Sequence, residues 1–167
     1  MLDGVLSIEQ CESLIKEGTA SMVDSELAGV MGYRWSEFDQ NTHPIIAPIT
    51  SALTQEYVKH FPAINLTQTQ WYTGKWRFKH FPPGYHFASW HSEHCFAHPY
   101  RIGCIILYLS DHNCGTEFYS TREVITSKAG RAVIFPTSWT HTHRGQLCPD
   151  KKDRYIMSTY MYLTDKK

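Results

Sequence analysis

The sequence has no apolar run approaching the ~18 residues that a membrane-spanning helix needs. It has no charge excess either: 16 Lys and Arg balance 16 Asp and Glu. Proteins that wrap nucleic acid or lie on an anionic membrane depend on a basic surplus, so neither partner is expected. Charged residues are scarce, at 19%, beside 14% aromatics. That balance excludes disorder and coiled coil and suits short strands around a core. There is no CxxC pair, so no thiolate zinc site is expected. The five cysteines (Cys11, Cys95, Cys104, Cys114, Cys148) are odd in number and scattered. They read as buried or incidental thiols of a reducing cytosol rather than as a disulfide framework. The first ten residues carry Asp3 and Glu9 and no basic stretch leading into an apolar one, so no secretory signal is read and the expected location is the cytoplasm. Repeats and low-complexity tracts are missing too.

A length of 167 residues points to one domain, 1–167, able to bury a real core without staples. The first part, 1–67, reads as mostly helical support. Ser7 and Gln10 form a capping-box pattern, Leu14 and Ile15 face inward, and Gly18 is a candidate helix end. A second helix is expected from about Pro44 or Pro48 to His60. From 68 to 167 the signal changes to short strands divided by turn residues. These lie at 69–81, 85–93, 102–109, 116–119, 132–135 and 155–163, with Pro82-Pro83-Gly84 and Lys128-Ala129-Gly130 among the turns. Many short strands at this spacing suggest a sandwich, barrel or jelly roll.

What the chain does have is histidine: ten in all, eight of them from His80 to His143. Trp90-His91-Ser92-Glu93 lies on an expected strand, where alternate residues share a face, so His91 and Glu93 would stand side by side. An imidazole and a carboxylate are two parts of a facial triad, which leaves open positions on ferrous iron for substrate and oxygen. A third ligand should come from a distant strand. His141 and His143 follow the 132–135 strand and share parity, and Arg154, eleven residues beyond His143, opens the last strand. An arginine there can grip a carboxylate with two parallel hydrogen bonds.

The pattern resembles the iron(II)- and 2-oxoglutarate-dependent dioxygenases, in particular the prolyl-hydroxylase-like branch. The matching stretches are His91-Ser92-Glu93, Tyr108-Leu109-Ser110, Gly115-Thr116-Glu117-Phe118, 130–136, His143-Arg144-Gly145 and Arg154-Tyr155, over roughly residues 68 to 163. Small phage-encoded members are similar, which would place the protein in a host cytoplasm. The resemblance implies a mainly β fold, a double-stranded β-helix or distorted jelly roll with N-terminal helices packed on it. It implies that His91, Glu93 and a distal histidine bind Fe(II), His143 being favoured over His141 by its spacing to Gly145 and Arg154. Arg154 would salt-bridge the far carboxylate of 2-oxoglutarate and Tyr108 would donate a hydrogen bond to it. With O2, and ascorbate in a supporting role, the enzyme would hydroxylate an unactivated C–H bond of a prolyl residue or a related amino acid or peptide, releasing succinate and CO2.

The chain departs from the family at Glu93, where an aspartate is usual, which leaves a non-catalytic metal- and 2-oxoglutarate-binding relative as the alternative. An oxygenase acting on another small metabolite is a further one. A nucleic-acid demethylase is disfavoured by the balanced charge and by Tyr160, which stands where that branch usually carries a second arginine. A cupin is disfavoured because His141-Thr142-His143 comes last rather than first. His94 and His98 are expected in loops at the mouth, and His86 on the opposite strand face. Arg101 is expected to be structural or near the entrance. Trp71, Trp76 and Trp90 are expected in the core and Trp139 near the pocket. The substrate and oligomeric state are not named by any motif.

Overall fold

A computed structural model describes residues 1–22, 33–66 and 70–164. Its elements, in order, are α1 (Ile8–Ala20), β1 (Arg34–Phe38), α2 (Ile46–His60), α3 (Ala63–Leu66), β2 (Trp71–Thr73), β3 (Trp76–Phe81), β4 (Arg101–Tyr108), β5 (Gly115–Phe118), β6 (Val124–Thr126), β7 (Arg131–Pro136), β8 (His143–Gly145) and β9 (Arg154–Leu163). All strand pairs are antiparallel. The larger sheet runs β1-β3-β9-β4-β7, with β2 also on β9, and the smaller runs β6-β5-β8. The fold is mainly β and jelly-roll-like.

The alternation of side chains along each strand sorts the larger sheet into two faces. Trp76 and Phe78 of β3, Ile105 and Leu107 of β4 and Met157 of β9 pack with Leu14 of α1 and Ile46, Ile49 and Leu53 of α2. The opposite registers, Cys104, Ile106 and Tyr108 with Val133 and Phe135, meet Phe118 and Ile125 of the smaller sheet. The first core anchors the helices, and the second closes the space in which the polar site lies.

The helices start for local reasons. Ser7 Oγ accepts from Gln10 N at 3.2 Å and Gln10 Oε1 accepts from Ser7 N at 2.9 Å, the reciprocal cap of α1. Gly18 does not end that helix, which runs to Ala20. A Cβ there would meet the Phe78 ring at 2.6 Å, so the glycine serves the close approach of α1 to β3. α2 begins at Ile46, and Pro48 occupies its first turn, where the missing N–H costs no helical bond. His43 Nδ1 accepts from the backbone N–H groups of Ile45 and Ile46, both at 3.2 Å. Trp76 Nε1 donates to Thr50 Oγ1 at 2.7 Å and ties α2 to β3.

Three further expectations are corrected. β1 lies within the stretch read as helical. Its sequence, RWSEF, has little apolar alternation, and it is a strand by virtue of pairing along β3. Residues 85–93 form no regular strand. They run as an irregular edge beside β8, bonded through Gly145 N to Phe87 O (2.9 Å) and the reciprocal pair His91 N to His143 O (3.0 Å) and His143 N to His91 O (2.9 Å). These sparse bonds to the three-residue β8 do not form a continuous ladder that would hold a pleat. Finally, Cys114 and Cys148 are joined as a disulfide, with Cα atoms 4.9 Å apart. They are 34 residues apart in sequence and adjacent only once the turn before β5 meets the loop before β9. Cys11 and Cys104 are buried free thiols, and Cys95 is exposed.

Candidate functional site

His91, Glu93 and His143 each offer a ligand atom, and these atoms lie within 4.8 Å of one another. The backbone pairing of His91 with His143 sets the two rings side by side, with centroids 4.4 Å apart and planes tilted by 51°. His91 Nδ1 lies 3.0 Å from Ser89 O, and His143 Nδ1 lies 3.0 Å from His141 O. A carbonyl only accepts, so each Nδ1 carries the proton and each Nε2 keeps its lone pair. That is the arrangement metal-ligating histidines use.

Glu93 is held from two sides. Arg101 Nη1, at the start of β4, donates to Oε2 at 2.9 Å, and the Tyr160 hydroxyl of β9 donates to Oε1 at 3.0 Å. Oε1 is 3.6 Å from His91 Nε2. The Arg101 guanidinium stacks on the Tyr160 ring, 3.7 Å from its centroid. Burial opposes the charge on Glu93, but the His91 contact and the charge of Lys79 are chief among the influences that outweigh it and hold the carboxyl at about 2. Burial, reinforced by the His91 charge, pulls His143 down to about 4. The cluster therefore presents a carboxylate and a neutral distal imidazole near neutral pH, as divalent metal binding requires.

The same residues line a cavity of about 490 Å³, solvent at its mouth included, with Arg154, Tyr108, Thr116, Ser158 and Lys79. Arg154 begins β9, and Ile156 and Ser158 follow it on the same strand face. Its Nη1 donates to Gln146 O at 3.3 Å and Cys114 Sγ at 3.4 Å, while Nε has no partner among the described residues. It forms no ion pair among those residues, and burial lowers it to about 10. Ser158 Oγ is likewise buried with no partner. Tyr108 OH donates to Thr116 Oγ1 at 2.7 Å, and burial pushes the phenol up to about 12, so it remains a donor. A buried cation and hydroxyl left unpaired are costly unless something fills the space. The far carboxylate of a dicarboxylate such as 2-oxoglutarate fits that requirement. Gly145 leaves room for the guanidinium, since a Cβ would come within 3.2 Å of Arg154 Nη2.

His141 stands outside the cluster. It ends a 3-10 turn, Trp139–His141, and contributes its carbonyl to His143 rather than its ring to the cavity. His94 and His98 are exposed, and His86 is half-buried, lowered by burial and by the charges of Arg154 and Arg144. Trp76 is in the core, Trp71 and Trp90 are half-buried, and Trp139 is exposed. Sequence reasoning missed the brace on Glu93 by Arg101 and Tyr160, and it missed Ser158 and Thr116. Ser158 could have been found, because strand parity places it on the face of Arg154. The Tyr160 half of the brace could not, since it joins residues 67 apart in sequence, whereas Arg101 is only 8 residues from Glu93.

Two facing antiparallel sheets, a His/Glu/His cluster between them and a buried arginine beside it define the fold class, which is that of solved 2-oxoglutarate oxygenases. No family model and no curated protein matches the chain. Among solved structures, the 2-oxoglutarate complex of a viral collagen prolyl hydroxylase from Paramecium bursaria Chlorella virus-1 is similar, with a TM-score of 0.77 at 17% identity over 98% of this chain and 94% of that one. A prolyl-4-hydroxylase from Pseudomonas putida gives 0.71 at 15% identity, covering 96% and 90%. HygX from Streptomyces hygroscopicus, with nickel and 2-oxoglutarate bound, gives 0.65 at 11%, covering 98% and 82%. At these identities the likeness is one of fold.

Proposed function

We propose that the protein is an iron(II)- and 2-oxoglutarate-dependent dioxygenase on a double-stranded β-helix, hydroxylating an unactivated C–H bond of a prolyl residue or a related amino acid or peptide. The observation that carries this is the convergence, in one cavity, of His91, Glu93 and His143 with the unpartnered Arg154 Nε. In this reading His91, Glu93 and His143 hold the iron through Nε2, a carboxylate oxygen and Nε2. Arg154 grips the far carboxylate of 2-oxoglutarate, with Tyr108, Thr116 and Ser158 supplying hydroxyls around it. When bound, iron and 2-oxoglutarate supply oxygen activation: one atom of O2 enters the C–H bond and the other enters succinate, as CO2 leaves. Arg101 and Tyr160 fix the longer Glu93 side chain, so that the extra methylene does not leave its carboxylate free to swing. Ile106, Phe87 and Ile156 supply an apolar part of the lining. A peptide substrate is supported by one structure of the same fold, a prolyl hydroxylase from Trichoplax adhaerens in complex with a peptide fragment (TM-score 0.69, 12% identity).

The test is anaerobic addition of ferrous iron and then 2-oxoglutarate to apo-protein. The visible charge-transfer band of the chelate is expected in the wild type and in His141→Ala, and lost in His143→Ala. Prolyl peptides are then screened with O2 for the gain of one oxygen atom and stoichiometric succinate. No band in the wild type would overturn the cofactor assignment. A band lost only in His141→Ala would overturn the distal ligand. Arg154→Gln is expected to weaken 2-oxoglutarate binding while leaving the iron; unchanged affinity would remove its role.

A further inference from the structure

A second set of metal-ligating side chains lies on the other side of Arg154. His112-Asn113-Cys114 precedes β5 and Cys148-Pro149-Asp150 precedes β9, so two pairs of ligand-type residues, each spaced by one, come from separate parts of the chain. The ligand atoms of His112, Cys148 and Asp150 lie within 4.8 Å of one another, and Cys114 Sγ contacts Cys148 Sγ. The His112 ring is 2% exposed and the Asp150 side chain 16%. His112 Nδ1 faces Asp150 Oδ2 at 2.8 Å, and its Nε2 is held by Ser110 Oγ at 3.0 Å. None of these residues lines the His91 cavity.

A disulfide accounts for the two sulfurs alone. It is neutral, and it leaves the His112–Asp150 pair beside it unconnected to the sulfurs. It also gives Arg154 Nη1, 3.4 Å from Cys114 Sγ, only a weak acceptor. Two thiolates, a neutral imidazole and a carboxylate around a divalent cation carry a net charge of about −1. That charge would sit against the buried Arg154 guanidinium, which makes no close ion pair among the described residues and already feels the Asp150 charge. Ser110 Oγ would take the proton on the ring nitrogen away from the metal.

We propose that in the reduced chain His112, Cys114, Cys148 and Asp150 form a tetrahedral site for a zinc-class divalent cation, which clasps the turn leading into β5, the strand of Thr116, to the loop that delivers Arg154. Binding releases the two thiol protons and moves no electrons. Where the cysteines are already joined, a dithiol must first give two electrons and two protons, itself becoming a disulfide. The absence of a CxxC motif hides such a site from sequence reading, because its ligands come as H-x-C and C-x-D.

The experiment uses metal-stripped, anaerobically reduced full-length protein titrated with cobalt(II) alone. A near-ultraviolet thiolate-to-cobalt band is expected in the wild type and in His91→Ala, which disables only the other cluster. It is expected to be lost in Cys148→Ser and displaced by zinc. Asp150→Asn, which keeps both sulfurs and the size of the side chain, is expected to retain the band at lower affinity. A reduced wild type with no thiolate band, or a band that survives in Cys148→Ser, would overturn the proposal. Because the probe is the metal and the readout is sulfur, failure here leaves the iron and 2-oxoglutarate reading untouched.

Discussion

Tyr108 shows how burial decides the state of a single group. An unfolded phenol titrates near about 10, whereas the folded one is held up at about 12. Below about pH 10 both states keep the proton, and the stability linked to this group is fully present. Between about pH 10 and 12 the unfolded chain ionises first and stability is lost, on the order of 2–3 kcal/mol in total. Tyr108→Phe removes that linkage and forfeits the hydrogen bond to Thr116, about 1 kcal/mol. Urea unfolding from pH 9 to 12 is therefore expected to show the variant starting less stable and overtaking the wild type. A constant gap would mean that the phenol is not held protonated in the fold. The neutral hydroxyl is what a carboxylate partner needs, so this titration tests the donor independently of any cofactor.

Among the elements, α1 depends on a position where size rather than conformation matters. Gly18→Ala gains about 1 kcal/mol of helix propensity, but its methyl would press on Phe78 at 2.6 Å. Overpacking of this kind costs about 1–3 kcal/mol. A lower thermal midpoint is expected for Gly18→Ala, largely restored when Phe78→Leu is added. Independent, additive losses would show that α1 does not bear on β3 there. Reading Gly18 as a helix end followed from its residue type, and the contact that explains it is made by a residue 60 positions on. β4, β5, β7 and β9 were legible to within a residue or two because their apolar runs and turn residues are local signals. β1 was not, since its polar sequence becomes a strand only against β3. Residues 85–93 were misread as a regular strand, yet the His91/Glu93 juxtaposition survives, because the pairing of His91 with His143 turns the segment inward without a full ladder. The Cys114–Cys148 contact was illegible for the same reason as the Tyr160 brace on Glu93: both are products of chain closure.

At the scale of the molecule, the candidate site is assembled from the irregular edge at 91–93, the first residue of β8 and the first residue of β9. Each lies on a different strand connection, so a ligand set joined at that point links both sheets and opposes their separation. Anything that binds the folded chain and not the unfolded one stabilises it by mass action, about 2.7 kcal/mol at a hundredfold excess over its Kd. For a chain of this length that corresponds to roughly 5–10 °C in thermal midpoint. Anaerobic iron(II) with 2-oxoglutarate is expected to raise the midpoint by that order in the wild type. In Arg154→Gln the iron-dependent part alone should remain, and in His143→Ala neither part. His143→Ala should itself unfold below the apo wild type, because the buried ring packs on Phe118 and Phe135, so each variant's ligand shift is read from its own apo midpoint. A midpoint unmoved by iron and 2-oxoglutarate, or moved equally in His143→Ala, would mean that the three strand ends meet without forming a binding site.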